Sequence, residues 1–163
     1  MPDGRVRCRP LRLQEGIKIQ MRTERLTIRP ITESDWKSIR NIWIDFNKSE
    51  YVIYDNEKNT DSDDVIGFIS LNIRNGGYEI GYGFLERFQG KGYAKESLVS
   101  VLDYMKEIGA KQIYAGTALK NIPSVRLLKS VGFELVGTEQ ISFHKDNEGN
   151  DIIFEGGNFI KIL

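Results

Sequence analysis

Tyr78-Glu79-Ile80-Gly81-Tyr82-Gly83-Phe84, then Gln89-Gly90-Lys91-Gly92-Tyr93-Ala94-Lys95, then an apolar stripe running to Lys106: the rest of the chain is arranged around this stretch. Its three parts read as a strand, a glycine-bearing turn and an amphipathic helix. Glycine lacks a Cβ, so Gly90 and Gly92 can take positive φ and bring the backbone close to a ligand. A helix follows at once, so its unpaired N–H groups and the positive end of its dipole face back over the turn. By physics alone, that is a cradle for a phosphate. The alternative is a plain glycine turn with Lys91 and Lys95 in solvent. The strand before and the helix after favour the cradle.

Working outward, Val65–Ile73 is a strong strand, and Asn75-Gly76-Gly77 turns it back into Tyr78–Phe84. Gly81 and Gly83 weaken pairing inside that returning strand, which is tolerable where it bulges or splays. Downstream, Leu98, Val101, Leu102, Met105 and Ile108 share one helical face that Gly109 stops. Gln112–Thr117 is the next strand. Asn121 caps a helix with Pro123 in its first turn, Val125, Leu127 and Leu128 inward, and Gly132 at its end. Two strands, 133–136 and 139–145, and a hairpin partner at 151–155 close the chain.

Upstream, Leu26-Thr27-Ile28-Arg29 alternates as a half-buried strand that Pro30 closes. Thr32 or Ser34 caps a helix whose stripe is Trp36, Ile39, Trp43 and Phe46, ending near Asn47. Tyr51–Tyr54 is either a short strand with the polar run 56–64 as its turn, or loop. If it is loop, the neighbouring strand has an uncovered edge. The class is α+β: a mixed, mostly antiparallel sheet flanked by helices, in a single domain over 21–163.

Charge and cysteine usage narrow the chemistry. Lys plus Arg and Asp plus Glu number 23 each, but unevenly. Residues 1–20 hold five basic residues against two acidic ones and read as a flexible extension, with Met21 as a possible true start. The remaining residues carry 18 basic and 21 acidic side chains, which gives no footprint for nucleic acid. No apolar run approaches the ~18 residues of a membrane span. Cys8 is the only cysteine, so an intrachain disulfide is impossible and a reducing cytoplasm is the natural setting. One His (His144, read as structural or exposed) and one Cys supply no metal-ligand set. Nothing spells a nucleophile elbow, and the glycine turn does not open a first βαβ unit as a dinucleotide fingerprint would.

Four features in order carry a resemblance: the opening Thr23-Glu24-Arg25-Leu26-x-Ile28-Arg29, Glu-Ile-Gly-Tyr at 79–82, Gln-x-x-Gly-x-Ala at 89–94, and Asn121-Ile122-Pro123-Ser124 before Gly132-Phe133. Together they resemble the GCN5-related N-acetyltransferase (GNAT) superfamily, most closely its ribosomal-protein N-terminal acetyltransferase-like branch. The likeness runs from about Arg22 onward. It departs between Ser49 and Val65, where a second helix and a full second strand are expected and the chain is shorter. The resemblance implies direct transfer of acetyl from acetyl-CoA to a primary amine, either a protein N-terminus or a small amine, with a homodimer possible at the final hairpin. The shortened segment leaves a second reading: a non-catalytic CoA-binding or sensing module with an incomplete acceptor site.

The residues then take expected roles. Gln89, Gly90, Lys91, Gly92, Tyr93, Ala94 and Lys95 bind the diphosphate, mostly through main-chain amides. Ile80, Gly81 and Tyr82 lie along the pantetheine arm, and the amide of Ile80 or Gly81 polarises the thioester carbonyl. Glu79 is the candidate base for the incoming ammonium, against a plain solvent-facing strand residue. Asn121 hydrogen-bonds pantetheine, caps its own helix, or does both. Many family members carry a Tyr that protonates the thiolate; the matching position here is Leu128. Ser124 is the alternative donor, against an ordinary first-turn residue.

Overall fold

Leu26 and Ile28 alternate with Thr27 and Arg29 along a short strand, and both are fully buried, so this first segment already fixes which face of the sheet is core. The computed structural model describes residues 20–35, 49–55, 65–74 and 76–163. Over these, the strands are β1 (Met21–Arg22), β2 (Leu26–Pro30), β3 (Ser49–Asp55), β4 (Val65–Arg74), β5 (Gly77–Phe84), β6 (Gln112–Ala118), β7 (Glu134–Lys145) and β8 (Asp151–Ile162). The helices are α1 (Tyr93–Glu107) and α2 (Ile122–Ser130), with short 3-10 turns at Glu33–Asp35 and Glu86–Phe88. The extension 1–19, the helix expected at Trp36, Ile39, Trp43 and Phe46, and the polar run 56–64 lie outside the described residues.

The eight strands form one sheet in the order β1-β2-β3-β4-β5-β6-β8-β7. Every pairing is antiparallel except β5 with β6. The 51–54 stretch is a strand. It pairs with β2 from Leu26↔Asp55 to Pro30↔Tyr51, and with β4 from Ser49↔Leu71 to Tyr54↔Val65. The sheet is therefore continuous where a break was the alternative, so no strand is missing from it here; residues 56–64, the rest of the shortened segment, lie outside the described residues. Just before the segment outside the described residues, Asp35 is fully buried. It receives the Thr32 amide at 2.8 Å and the two Arg29 guanidinium nitrogens at 2.9 and 2.7 Å.

The core lies between the sheet and the helices. Leu98, Val101 and Met105 of α1 and Leu128 of α2 are each at most 1% exposed and pack with Ile80 and Phe159. Burying each such side chain contributes roughly 1.5–3 kcal/mol. Ser97, also fully buried, donates its hydroxyl to the Tyr93 and Ala94 carbonyls one turn back. Gly109 (φ +90°) ends α1, as its place in the sequence requires.

Two expectations need correction. The stretches 133–136 and 139–145 are one strand, β7, which absorbs two register shifts, at Leu135/Gly137 and Ile141/His144. The partner expected at 151–155 continues through Gly156-Gly157 to Ile162, and this second half inserts between β7 and β6. A Cβ at Gly156 would lie 2.6 Å from the Ile141 side chain, and one at Gly157 would lie 2.6 Å from the Leu119 side chain. Close packing, and not a turn, is what these two glycines serve.

Candidate functional site

The turn between β5 and α1 is exposed and open. Phe88, 8% exposed, anchors the 3-10 turn, and Gln89 then folds its side-chain amide back onto the Phe84 carbonyl at 3.0 Å. Gly90 and Gly92 have φ of +74° and +80°, the left-handed region that glycine takes without strain. A Cβ at Gly90 would meet nothing within 4 Å, so the outer side of the turn is accessible. Gly92 is the residue that starts α1, and it contributes no side-chain cap. The helix ladder begins with Glu96 N–H donating to the Gly92 carbonyl at 3.1 Å, so the amides of Ala94 and Lys95 precede the first ladder bond. Lys91 and Lys95 are exposed beside them. A shallow open groove of about 530 Å³ leads away along α1 past Lys95, Glu96, Val99, Ser100 and Asp103. These features fit a diphosphate: open amides, positive φ, flanking ammonium groups and no carboxylate within the turn itself.

The opening motif of the domain holds this turn from behind, a role the sequence did not disclose. The Arg25 side chain pairs with Glu96 at 2.7 Å, donates to the Lys91 carbonyl at 3.0 Å, and lies over the Tyr93 ring at 4.6 Å. The Arg25 amide and the Thr23 hydroxyl both donate to the other Glu96 carboxylate oxygen. Burial pushes the Glu96 carboxyl up, but the bonds from Thr23 and Arg25 outweigh it and hold the group below its usual value. Arg25 and Glu96 stand 71 residues apart, so no local pattern exposes the pair.

The second element is a gap. Strands β5 and β6 pair at only two positions, Tyr78↔Ile113 and Glu79↔Tyr114. Beyond them β5 stays with β4 as far as Phe84↔Gly67, while β6 stays with β8 as far as Ala118↔Gly156. The sequence placed an irregularity at Gly81 and Gly83. The ladder to β4 runs through both glycines without a shift, and the splay is on the β6 side. Gly81 is needed there because a Cβ would sit 2.6 Å from the Ser70 hydroxyl on β4. Strand alternation turns one of the Ile80 and Gly81 amides toward the gap. The Ile80 side chain itself is core, 2% exposed.

Alternation also separates the candidate side chains. Tyr82 shares the core face with Ile80, and its hydroxyl reaches Ser124, in the first turn of α2, at 2.8 Å. Burial raises the Tyr82 pKa, and the Ser124 hydrogen bond offsets only part of that. This contact crosses from the splayed part of β5 to the helix that follows β6. Glu79 leaves the opposite face, where its carboxylate pairs with Arg74 at 2.7 Å. Asn121 caps its own helix, accepting the Ser124 amide at 3.3 Å.

Among the described residues no helix is long and apolar enough to cross a membrane. Comparison with known proteins gives three further findings. Residues 30–134 match the family model for an acetyltransferase (GNAT) domain. The uncharacterized N-acetyltransferase YnaD of Bacillus subtilis (strain 168) is 31% identical over 151 residues, covering 77% of this chain and 89% of that protein. Among solved structures, the ribosomal-protein-S5-alanine acetyltransferase of Vibrio fischeri superposes with TM-score 0.68 at 17% identity, covering 88% of this chain and 96% of its own. The spermidine N-acetyltransferase of Vibrio cholerae in complex with CoA and spermine superposes with TM-score 0.67 at 20% identity, covering 86% and 96%.

Proposed function

The chain belongs to the GNAT acetyltransferase family and is an acetyl-CoA-dependent N-acetyltransferase, and from that premise we propose how its residues divide the work. Main-chain amides at Gly90–Lys95, with the Lys91 and Lys95 ammonium groups, hold the diphosphate of CoA at the uncapped start of α1. The pantetheine arm lies between β5 and β6 beyond Glu79, and Asn121 stays on its helix cap. The gap-facing amide, from Ile80 or Gly81, polarises the thioester carbonyl as negative charge develops there. Glu79 takes the proton of the acceptor ammonium, directly or through a water, and the freed amine attacks the carbonyl carbon in one step. Ser124 faces the departing sulfur.

One observation carries this reading: the β5–β6 ladder stops after two residue pairs, while the open glycine turn stands at the far end of the same β5. A diphosphate and a thioester joined by an extended arm need both features, one strand length apart. The acceptor is a primary amine. The two structural neighbours are named for a ribosomal-protein S5 alanine and for spermidine, so a protein N-terminus and a polyamine are the two kinds to test first.

Thiol release from acetyl-CoA, followed across peptide N-termini, spermidine and aminoglycosides, tests the assignment. At least one acceptor class should release thiol. Glu79→Gln should lower kcat by about 100-fold, within the range for a positioned general base, while leaving the KM for acetyl-CoA nearly unchanged. Unchanged turnover in Glu79→Gln removes Glu79 from the mechanism and leaves the Arg74 ion pair as its role.

A further inference from the structure

We propose that Tyr82 and Ser124 act as one hydroxyl relay to the sulfur leaving group, with Ser124 touching the sulfur and Tyr82, behind it, supplying the acidity that serine lacks. The inference rests on the CoA-site reading above and adds a positioning residue to it. Three observations carry it. The Tyr82 and Ser124 hydroxyls are 2.8 Å apart, and the contact spans the mouth of the gap from β5 to α2. Tyr82 sits in the part of β5 that β6 no longer accompanies, three residues past the last shared pair. Its ring packs against the core and lies 6.4 Å from Phe84, so the phenol is fixed in direction by its neighbours.

The chemistry needs two hydroxyls in series. A departing thiolate must gain a proton, and transfer is easiest from an acid of similar strength. A thiol titrates near 8.5 and an ordinary phenol near 10 (both approximate). Burial holds the Tyr82 phenol above that value, and it is still a much closer match to the thiol than an aliphatic hydroxyl. An aliphatic hydroxyl is a far weaker acid and cannot give up its proton unless it regains one at the same time. In the relay the C–S bond breaks and sulfur takes the Ser124 proton. The serine oxygen takes the Tyr82 proton in the same movement. The phenolate is then restored by a proton from solvent, matched by the proton the nitrogen sheds as the amide forms; the proton Glu79 took from the ammonium beforehand passes to solvent. No oxidant, metal or further reactant enters, and the sum is amine plus thioester giving amide plus thiol. Tyr82 never meets the sulfur, so it is a positioning residue acting through Ser124.

The test reads the sulfur directly and needs no acceptor. CoA is bound to the full chain, and its thiolate absorbance near the short-wavelength ultraviolet is titrated against pH for wild type, Tyr82→Phe and Ser124→Ala. A hydroxyl pair donating to the sulfur should make bound CoA form thiolate about tenfold more readily than free CoA. Either substitution should erase most of that preference, and Tyr82→Phe keeps the ring and hence the packing. Desulfo-CoA, which lacks the sulfur, should bind wild type and both variants alike, confirming that the variants keep the site. If both variants bind CoA and leave its thiol titration as in wild type, the relay is wrong while the CoA site stands. If wild type binds neither CoA nor desulfo-CoA, the CoA-site reading fails and takes the relay with it.

Discussion

Helix α1 begins at Gly92, whose left-handed backbone (φ +80°) offers no side-chain oxygen; α2 begins at Asn121, whose amide oxygen accepts the Ser124 N–H at 3.3 Å. Both helices follow a strand of the same sheet, and both leave orphan amides by the geometry of any helix. At α2 the chain satisfies an amide itself, the ordinary solution and one that contributes about 1 kcal/mol. At α1 it forgoes that contribution and keeps the amides facing outward. The start of α1 is secured from behind instead, by Arg25 and Thr23 on Glu96 and by Arg25 on the Lys91 carbonyl. On the reading proposed above, the helix start that receives the diphosphate is held at its back, and the other is closed at its front.

Making the two starts alike should have the largest effect. Gly92→Asp supplies α1 with a carboxylate cap, and aspartate tolerates left-handed backbone better than most residues. Its charge occupies the diphosphate position, so CoA affinity should fall about 100-fold by titration calorimetry, roughly 2.7 kcal/mol by the usual conversion. Gly92→Asn, the same shape without charge, should lose less. Equal losses would show that capping or crowding against Arg25, and not charge, governs the site.

Removing the rear support comes next. Arg25→Ala should weaken CoA binding by about tenfold, a loss of preorganisation and not of contact. The Glu96 carboxyl is held below its usual value in the folded chain, so its contribution to stability is present above about pH 4.5. That contribution fades as pH falls through the lowered folded value. Arg25→Ala should flatten this acid limb in a series of thermal melts, and an unchanged limb would exclude the brace as its origin. Asn121→Ala is the smallest case: about 1 kcal/mol of stability, read as a melting-point drop of roughly 2–4 °C, with CoA affinity unchanged within twofold. A larger affinity loss would mean that Asn121 does meet pantetheine.

Local pattern made much of this legible. Glycines at 90 and 92 before a helical stripe announce the turn, and hydrophobic alternation announces β2 and β4. Distant partnership was not legible. The Arg25–Glu96 pair joins residues 71 positions apart, and the Tyr82–Ser124 contact joins residues 42 apart. No periodicity records either. From sequence the final strand ends at residue 155, before Gly156-Gly157, whereas it runs on to Ile162, and Ile141 and Leu119 occupy the space a Cβ at these glycines would need. Gly81 and Gly83 read as weakening the pairing of β5 where it bulges or splays, and it does splay, from β6, while its ladder to β4 runs on unbroken. Glu79 was chosen by position along β5, and its orientation away from Tyr82 emerges only once Ile80 is known to be buried.

The insertion of β8 between β6 and β7 bears on how the nascent chain matures. Residues 112–118 cannot complete their ladder until residues 156–162 have been made, so β6 emerges with one flank exposed while α2 and β7 are still being added. An unpaired strand flank recruits other chains. The flank of β6 is covered only when β8 threads into place between it and β7.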